Sequence, residues 1–397
     1  MNQKTDNEPF FIDLGYSQRF ATGEDICGDA FKYQKGHDDG RVIAVLSDGL
    51  GSGVKANILA SMTATMALKF TVEESEGIIH AAEIMMSALP ICQVRKISYA
   101  TFTIVNAGLG GSTRVIEMGN PQFLLFREGK RLPVSFETMV SPKWHDRGMK
   151  VYNFGVRPGD RLVFFSDGIS QSGMGSKAWP LGWGENGCAD YVVSLLQKTP
   201  DISSHELSSH LLTEARRKEP GMQNKDDMTC ATLYFRHPRK LLLFTGPPFD
   251  RARDAECCRD LAAFDGNKIV CGGTSAEIVS RELGLKLSLD LSDCGSELPP
   301  PAHMDGIDLV TEGILTLTKT AQYLESFDGR RHENAAGTLV DYFLRNDVIE
   351  FLVGTRINES HQDPNLPLDL EIRRNIVKRI ANVLENRYLK RVSIKFV

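Results

Sequence analysis

The sequence predicts two domains of different class, an α+β layered domain over residues 8–237 and a smaller α/β domain over 238–397. Three observations carry this. The chain has 397 residues, more than one ordinary core organises and suited to two domains of about 150 to 250 residues each. In its first part, β-type runs follow one another through short Gly- or Asn-bearing turns, as at Gly110-Gly111 and Gly119-Asn120, the pattern of an antiparallel meander. After the polar segment RHPRK (236–240), strand and helix patterns alternate, which is the pattern of a mainly parallel sheet.

In the first domain the strand-like runs are RVIAVLSDG, YATFTIVNAG, STRVIEMGN, QFLLFREGK, DRLVFFSDG and DMTCATLYF. Helical spacing is expected over 54–70, over about 76–95, and over a third block from about 186 to 217. Helices set between antiparallel strands favour a layered α+β domain over a doubly wound one. Residues 141–160 are expected to join two strand groups, with Trp144, His145 and Arg147 on a substrate-facing lid or a packed connection. In the second domain KLLLFTGPP leads into DRARDAECCRDLAAF, KIVCGGTS into AEIVSREL, and DGIDLVTEG into ILTLTKTAQYLESF. A last helix, about 369–386, precedes the strand RVSIKFV.

Composition narrows the partners. With 42% hydrophobic and 24% charged residues the chain is globular in type, and its net charge of −5 argues against a bulk electrostatic nucleic-acid binder. No apolar run approaches the roughly 20 residues that span a bilayer. The N-terminus, MNQKTDNEPFF, lacks the basic-then-apolar layout of a signal peptide. A cytoplasmic protein is expected, with neither nucleic acid nor membrane as partner. The eight cysteines (27, 92, 188, 230, 257, 258, 271 and 294) include no CxxC pair and read as reduced, mostly buried thiols.

The stretch VIAVLSDGLGSGVKANILASM (42–62) joins an apolar strand to a helix through a glycine loop. A dinucleotide loop needs G-x-G-x-x-G; Gly49, Gly51 and Gly53 miss that spacing. A Walker loop needs G-x-x-x-x-G-K-[ST], and Lys55 is followed by Ala56. The better clue is repetition, because RLVFFSDGISQSG later in the chain has the same grammar of apolar strand, then Ser-Asp-Gly. GDA places Asp29 after a glycine, and KDDMT places Asp226 and Asp227 ahead of another strand. A single Asp-Gly turn is ordinarily structural. Four Asp-bearing turns in one strand-rich domain, with Asp48 and Asp167 in matching contexts, point to an oxygen-rich site for hard divalent cations. Two such ions about 3.5 to 4 Å apart activate a water and polarise a phosphoryl group.

The set GEDICGDAF, VIAVLSDGLGSGVKA, PGDRLVFFSDGISQS and KDDMTCATL resembles the SpoIIE-like bacterial branch of the metal-dependent type 2C protein Ser/Thr phosphatases, in family order over about residues 10–236. The resemblance implies a β-sandwich flanked by helices and hydrolysis of phosphoserine or phosphothreonine on a partner protein, with two Mn²⁺ or Mg²⁺ ions. By motif match Asp29, Asp48 and the Gly49 carbonyl are metal ligands, and Asp167 and Asp226 bind the second metal. Asp227 stands where some relatives have Asn and is taken as a supporting residue. Ser52 replaces a His common in the loop after Asp48. Arg19 is the one nearby arginine and a weak candidate for contacting phosphate, with an ordinary surface role the alternative. With the motifs starting near residue 10, no sensor domain is expected ahead of them.

The resemblance further implies a phosphorylated bacterial regulator as substrate, such as an anti-sigma-factor antagonist. The oligomeric state is left open, with a homodimer among the options. A catalytically inactive relative that binds a phosphoprotein is the alternative function, and retention of all four Asp motifs speaks against it. The stretch MGSKAWPLGWGENG (174–187) reads as a flap beside the active site. The second domain resembles one that accompanies some SpoIIE-like phosphatases in anaerobic bacteria, with a regulatory or partner-binding role in view. There the start of the helix after KIVCGGTS, with Thr274 and Ser275, could hold an anion or simply cap itself.

Overall fold

The computed structural model describes residues 10–36, 41–73, 100–140, 148–289, 298–326, 332–356 and 366–397. The chain divides into two compact units, Met1–His237 and Pro238–Val397.

In the first unit the described elements run β1 (Phe11–Arg19), β2 (Asp29–Lys35), β3 (Val42–Gly49), α1 (Gly53–Glu73), β4 (Ala100–Ala107), β5 (Ser112–Met118), β6 (Leu124–Arg127), β7 (Lys130–Leu132), β8 (Glu137–Val140), β9 (Gly148–Gly155), β10 (Arg161–Phe165), α2 (Asp167–Ser170), α3 (Gly184–Lys198), α4 (Ser204–Lys218) and β11 (Met228–Arg236). The strands form two antiparallel sheets, β1-β11-β10-β6-β7 and β2-β3-β4-β5-β9-β8. Strand β10 shows how the layers form. Val163 and Phe165 pack with Val192, Leu207 and Leu211 of α3 and α4, while the alternate residue Phe164 meets Phe31 of the other sheet, ring centroids 6.1 Å apart. On the far side Ala60, Ala64 and Ala67 of α1 pack on Val45 and Phe102. Because each central strand is covered on both faces, β10 and β11 are buried along their whole lengths and read as continuous apolar runs. The result is a helix–sheet–sheet–helix sandwich.

Two sequence expectations need adjusting. The block 186–217 is two helices, because Pro200 has no N–H to donate and disfavours helix at the residue before it. Ser203 restarts the chain as the N-cap of α4, in a reciprocal capping box with Glu206. Part of the joining segment 141–160 is strand β9, paired with both β5 and β8. The helix expected over 76–95 and the lid residues Trp144, His145 and Arg147 lie outside the described residues.

The second unit runs β12 (Lys240–Thr245), α5 (Asp254–Ala263), β13 (Asn267–Cys271), α6 (Gly273–Leu283), β14 (Leu287–Leu289), β15 (Ala302–Met304), β16 (Ile307–Thr311), α7 (Ile314–Glu325), α8 (Ala335–Arg345), β17 (Val348–Val353), α9 (Leu366–Asn386) and β18 (Arg391–Phe396). Its sheet has the order β14-β15-β16-β13-β12-β17-β18, parallel from β16 through β18 with an antiparallel edge at β14 and β15. Leu241, Leu243 and Phe351 face α7, α8 and α9; Leu242, Phe244 and Leu352 face α5 and α6. Burial on both faces explains the uninterrupted apolar character of KLLLF and KIVC. Among the described residues, no helix is long and apolar enough to cross a membrane.

One buried acid in the first unit couples fold to pH. Glu117 on β5 is 2% exposed, and burial pushes it up to about 7 against the opposing pull of the Phe123 amide, Tyr152 and Lys150. A carboxyl raised in the folded state contributes its stability below its unfolded value of 4.5 and loses it as pH rises through about 7. Glu117→Gln should therefore gain on the order of 3 kcal/mol relative to the parent between pH 5 and pH 8, read by urea denaturation at both values. An equal gap at the two pH values would show that Glu117 does not titrate there.

Candidate metal centre

Four segments distant in sequence converge at one edge of the sandwich. The antiparallel register of β2 and β3 sets Asp29 opposite Asp48. Strand β10 ends at Phe165, and Asp167 opens α2, with its Oδ2 accepting from Gln171 Nε2 at 2.8 Å. Asp226 and Asp227 immediately precede β11, the neighbour of β10.

Hydrogen bonds lock these segments together. Thr229 Oγ1 donates to Asp29 Oδ2 at 2.6 Å, so the second residue of β11 holds the first residue of β2. The Thr229 amide in turn donates to Ser166 Oγ at 3.0 Å. Asp227, 3% exposed, accepts from the amides of Ala21 and Gly28 at 2.9 Å each, and pins both ends of the loop that delivers Asp29. Asp227 thus has its oxygens committed to backbone, in keeping with a supporting position. Thr229 and Ser166 carry this geometry and were not singled out from the sequence. The signal present was the Ser shared by both Ser-Asp-Gly runs; the earlier one, Ser47, donates to the Thr101 carbonyl at 2.9 Å.

The glycines beside the aspartates act through their missing side chains rather than through a left-handed backbone. Gly49 and Gly168 are not among the positive-φ glycines. A Cβ on Gly49 would lie 2.3 Å from the Ala56 carbonyl oxygen, and one on Gly168 would lie 2.1 Å from that of Asp227. The missing side chain allows close backbone approach, which brings α1 and the Asp227 segment against the aspartates.

The electrostatics are those of uncompensated like charges. Burial, then Asp29, Asp167 and Asp226, push Asp48 up to about 10. Asp29 is 3% exposed and is raised to about 7 by burial first, against the Thr229 and Ser166 bonds and with help from Asp227 and Asp226. Asp226 is raised too, by burial and then by Asp167. The charged groups acting most strongly on Asp29 and Asp48 are all carboxylates. Carboxylates gathered this way either hold protons, as the raised values of Asp48 and Asp29 describe, or are offset by a cation among them.

The donor set suits a hard divalent ion, since the candidate side chains are carboxylates, and the one thiol beside them, Cys27, is held protonated by burial and by Asp29 and Asp227. Among the described residues no group of three or more His, Cys, Asp or Glu side chains is placed to hold a metal ion by itself. Mg²⁺ does not need such a cage, because it keeps several waters and is commonly held by one or two carboxylates.

The remaining sequence candidates fall out as follows. Ser52 donates to Glu24 at 2.8 Å. Arg19 is exposed at the end of β1, opposite Met228 at the start of β11; the phosphate-contacting cation stays unassigned. The stretch 174–187 is tied inward by its tryptophans: Trp183 is 7% exposed and Trp179 packs on the same core, with Lys218 over both rings. Its outer part, with Leu181 88% exposed, is the portion open to solvent. Of the six cysteines in the described residues, five are buried and all are free thiols.

The sequence model of the family described as Stage II sporulation protein E (SpoIIE) matches residues 38–236. Among solved structures, the chain is similar to the PP2C phosphatase domain, with a fragment of the regulatory domain, of the cell fate determinant SpoIIE from Bacillus subtilis, at 20% identity and TM-score 0.47. That match covers 58% of this chain and 63% of that one, so the chain spans under two thirds of that structure. The RsbU and RsbW domains of a Mycobacterium tuberculosis protein match at 20% identity and TM-score 0.48, covering 64% of this chain and 69% of that one. RsbX in complex with magnesium matches at 19% identity and TM-score 0.39, over 56% and 95%. A search of curated proteins found no match.

Removal of the Asp227 clamp tests the scaffold. Asp227→Ala leaves two buried amides without acceptors, at about 1–3 kcal/mol each, so the unit should lose roughly 2–6 kcal/mol in urea denaturation. Asp227→Asn keeps one carbonyl oxygen and should lose about half as much. Unchanged stability in both would show that the Ala21–Gly28 loop is held by other contacts.

Proposed function

Because the chain belongs to the SpoIIE family, we propose that its first unit is a Mg²⁺- or Mn²⁺-dependent protein phosphatase acting on phosphoserine or phosphothreonine. The observation that carries this reading is the gathering of Asp29, Asp48, Asp167 and Asp226 with no cation among the groups that act most strongly on Asp29 and Asp48. In this reading Asp29, Asp48 and the Gly49 carbonyl hold one ion, and Asp167 and Asp226 the other. Bound there, the ions supply an activated water and polarise the phosphoryl group. The chain's own residues position and support. Thr229 orients the Asp29 carboxylate, Gln171 steadies Asp167, and Asp227 holds the Ala21–Gly28 loop so that Asp29 faces Asp48.

The substrate proposed is a small bacterial regulatory protein phosphorylated by a partner kinase, of the anti-sigma-factor-antagonist kind; its support is the motif resemblance. The second unit is assigned a regulatory or partner-binding role on the same ground.

The test is hydrolysis of p-nitrophenyl phosphate by the full chain with Mn²⁺, with EDTA, and in Asp48→Ala and Asp167→Ala. Turnover should require Mn²⁺ and fall at least about 100-fold in both variants, a ligand mattering no less than the outer-shell partners whose loss costs 10- to 100-fold. Near-parental activity in either variant would overturn the ligand assignment. Absent turnover with Mn²⁺ still binding by calorimetry would leave a resting enzyme that awaits its protein partner, whereas absent turnover without Mn²⁺ binding would make the unit the catalytically inactive relative.

A further inference from the structure

The second unit carries a cavity that the phosphatase reading leaves unused. Its sheet has a topological switch. From β12 the chain moves out through β13 and β16, then returns to the other side of β12 as β17 and β18. Crevices outside the carboxyl ends of strands at such a switch are where open α/β sheets bind ligands. Here the two loops that border the switch are tied together. The Gly354 amide donates to the Thr245 carbonyl at 2.8 Å, and the Arg356 amide to the Pro247 carbonyl at 3.1 Å. Backbone approach is close enough that a Cβ on Gly354 would lie 2.1 Å from the Pro247 oxygen.

Beside these loops lies a cavity of about 410 Å³, lined by Arg251, Asp254, Thr274, Glu277, Arg281 and Arg356. The residues come from the segments that follow β12, β13 and β17. Three guanidiniums against two carboxylates leave the lining one unit positive. Two of its lining residues also carry buried hydrogen-bonding atoms of opposite kind that lack a partner. Arg356 Nη1 is buried and has no hydrogen-bond partner; it is a donor. Asp254 is 2% exposed, and although its Oδ2 accepts from Arg281 at 2.7 Å, its Oδ1 is buried without a partner. At the first turn of α6, Ser275 is 1% exposed and its Oγ has no partner either. Buried polar atoms in folded proteins are ordinarily satisfied, and each exception asks for an explanation.

A single ligand answers the Arg356 and Asp254 atoms together, both residues lining the cavity. Its anionic end would accept from Arg356 and balance the excess of arginines, since guanidinium matches phosphate in geometry and charge. Its hydroxyl end would donate to Asp254 Oδ1. The volume falls in the range of small-molecule sites. We propose that the second unit binds a small phosphate ester bearing hydroxyl groups, of the sugar-phosphate or nucleotide type, with its phosphate on Arg356 and Arg251 and a hydroxyl on Asp254.

The experiment uses the full chain with EDTA present, so that binding does not report on the acidic cluster of the first unit. Calorimetry with ribose 5-phosphate, AMP and inorganic phosphate reads the site. Ribose 5-phosphate or AMP should bind saturably, and Arg356→Ala should weaken binding at least about tenfold, as loss of a charge-assisted bond does. Arg251→Ala, at an exposed position where folding is not at stake, should weaken it in the same direction. Asp254→Asn should weaken ribose 5-phosphate while leaving inorganic phosphate unchanged. No saturable binding of either ester up to about 10 mM, a free energy too small for a dedicated site, would overturn the proposal. So would binding that survives unaltered in both Arg356→Ala and Arg251→Ala. Either result would leave the phosphatase reading untouched, since its test depends on Mn²⁺ and on the aspartates of the other unit.

Discussion

Repulsion among Asp29, Asp48, Asp167 and Asp226 is the constraint that the first unit is arranged around. Four carboxylates drawn from four segments would separate if they were free to move, and burial makes their charge dearer still. The scaffold resists this with neutral groups. Thr229 donates to Asp29, the Asp227 amide donates to Asp226, and Asp227 itself is spent on the amides of Ala21 and Gly28. None of these bonds removes the charge imbalance. In the proposed reading a metal ion would offset it, so the same feature that strains the edge of the sandwich would serve the site.

The two sheets make such an arrangement affordable in structural terms. Their central strands are covered on both faces, by helices outside and by the opposite sheet inside, so the strand ends are held rigidly. Functional side chains carried at the ends of fixed strands keep their geometry better than side chains on free loops. The glycines at these ends allow backbone to pass within van der Waals reach of backbone, which shortens the distance between segments that carry the charges.

The second unit reaches a comparable outcome by different means. Its sheet is mainly parallel, so consecutive strands present their carboxyl ends on one side, and the switch at β12 and β17 opens a crevice there. Antiparallel pairing in the first unit collects acids, and parallel pairing in the second collects arginines. The sequence shows both tendencies only as short motifs, SDG in one case and CGGTS or VGTR in the other.

Amino-acid order alone determined the class of each unit, the boundary region near RHPRK, and the four aspartate motifs, because these depend on patterns within a dozen residues. Central strands were legible for the same reason: full burial demands a continuous apolar run. The strands β1 and β2 were not, since both lie at sheet edges, where one side of the strand needs no cover and polar residues such as Gln18, Lys32 and Gln34 are tolerated. Only the tertiary structure decided the register that sets Asp29 against Asp48, the commitment of Asp227 to backbone, the inward packing of Trp179 and Trp183, and the true reason for Gly49 and Gly168. The Asp227 bonds link residues 206 and 199 positions apart. Contacts of that separation arise from how the sheets close on one another, which no local pattern encodes.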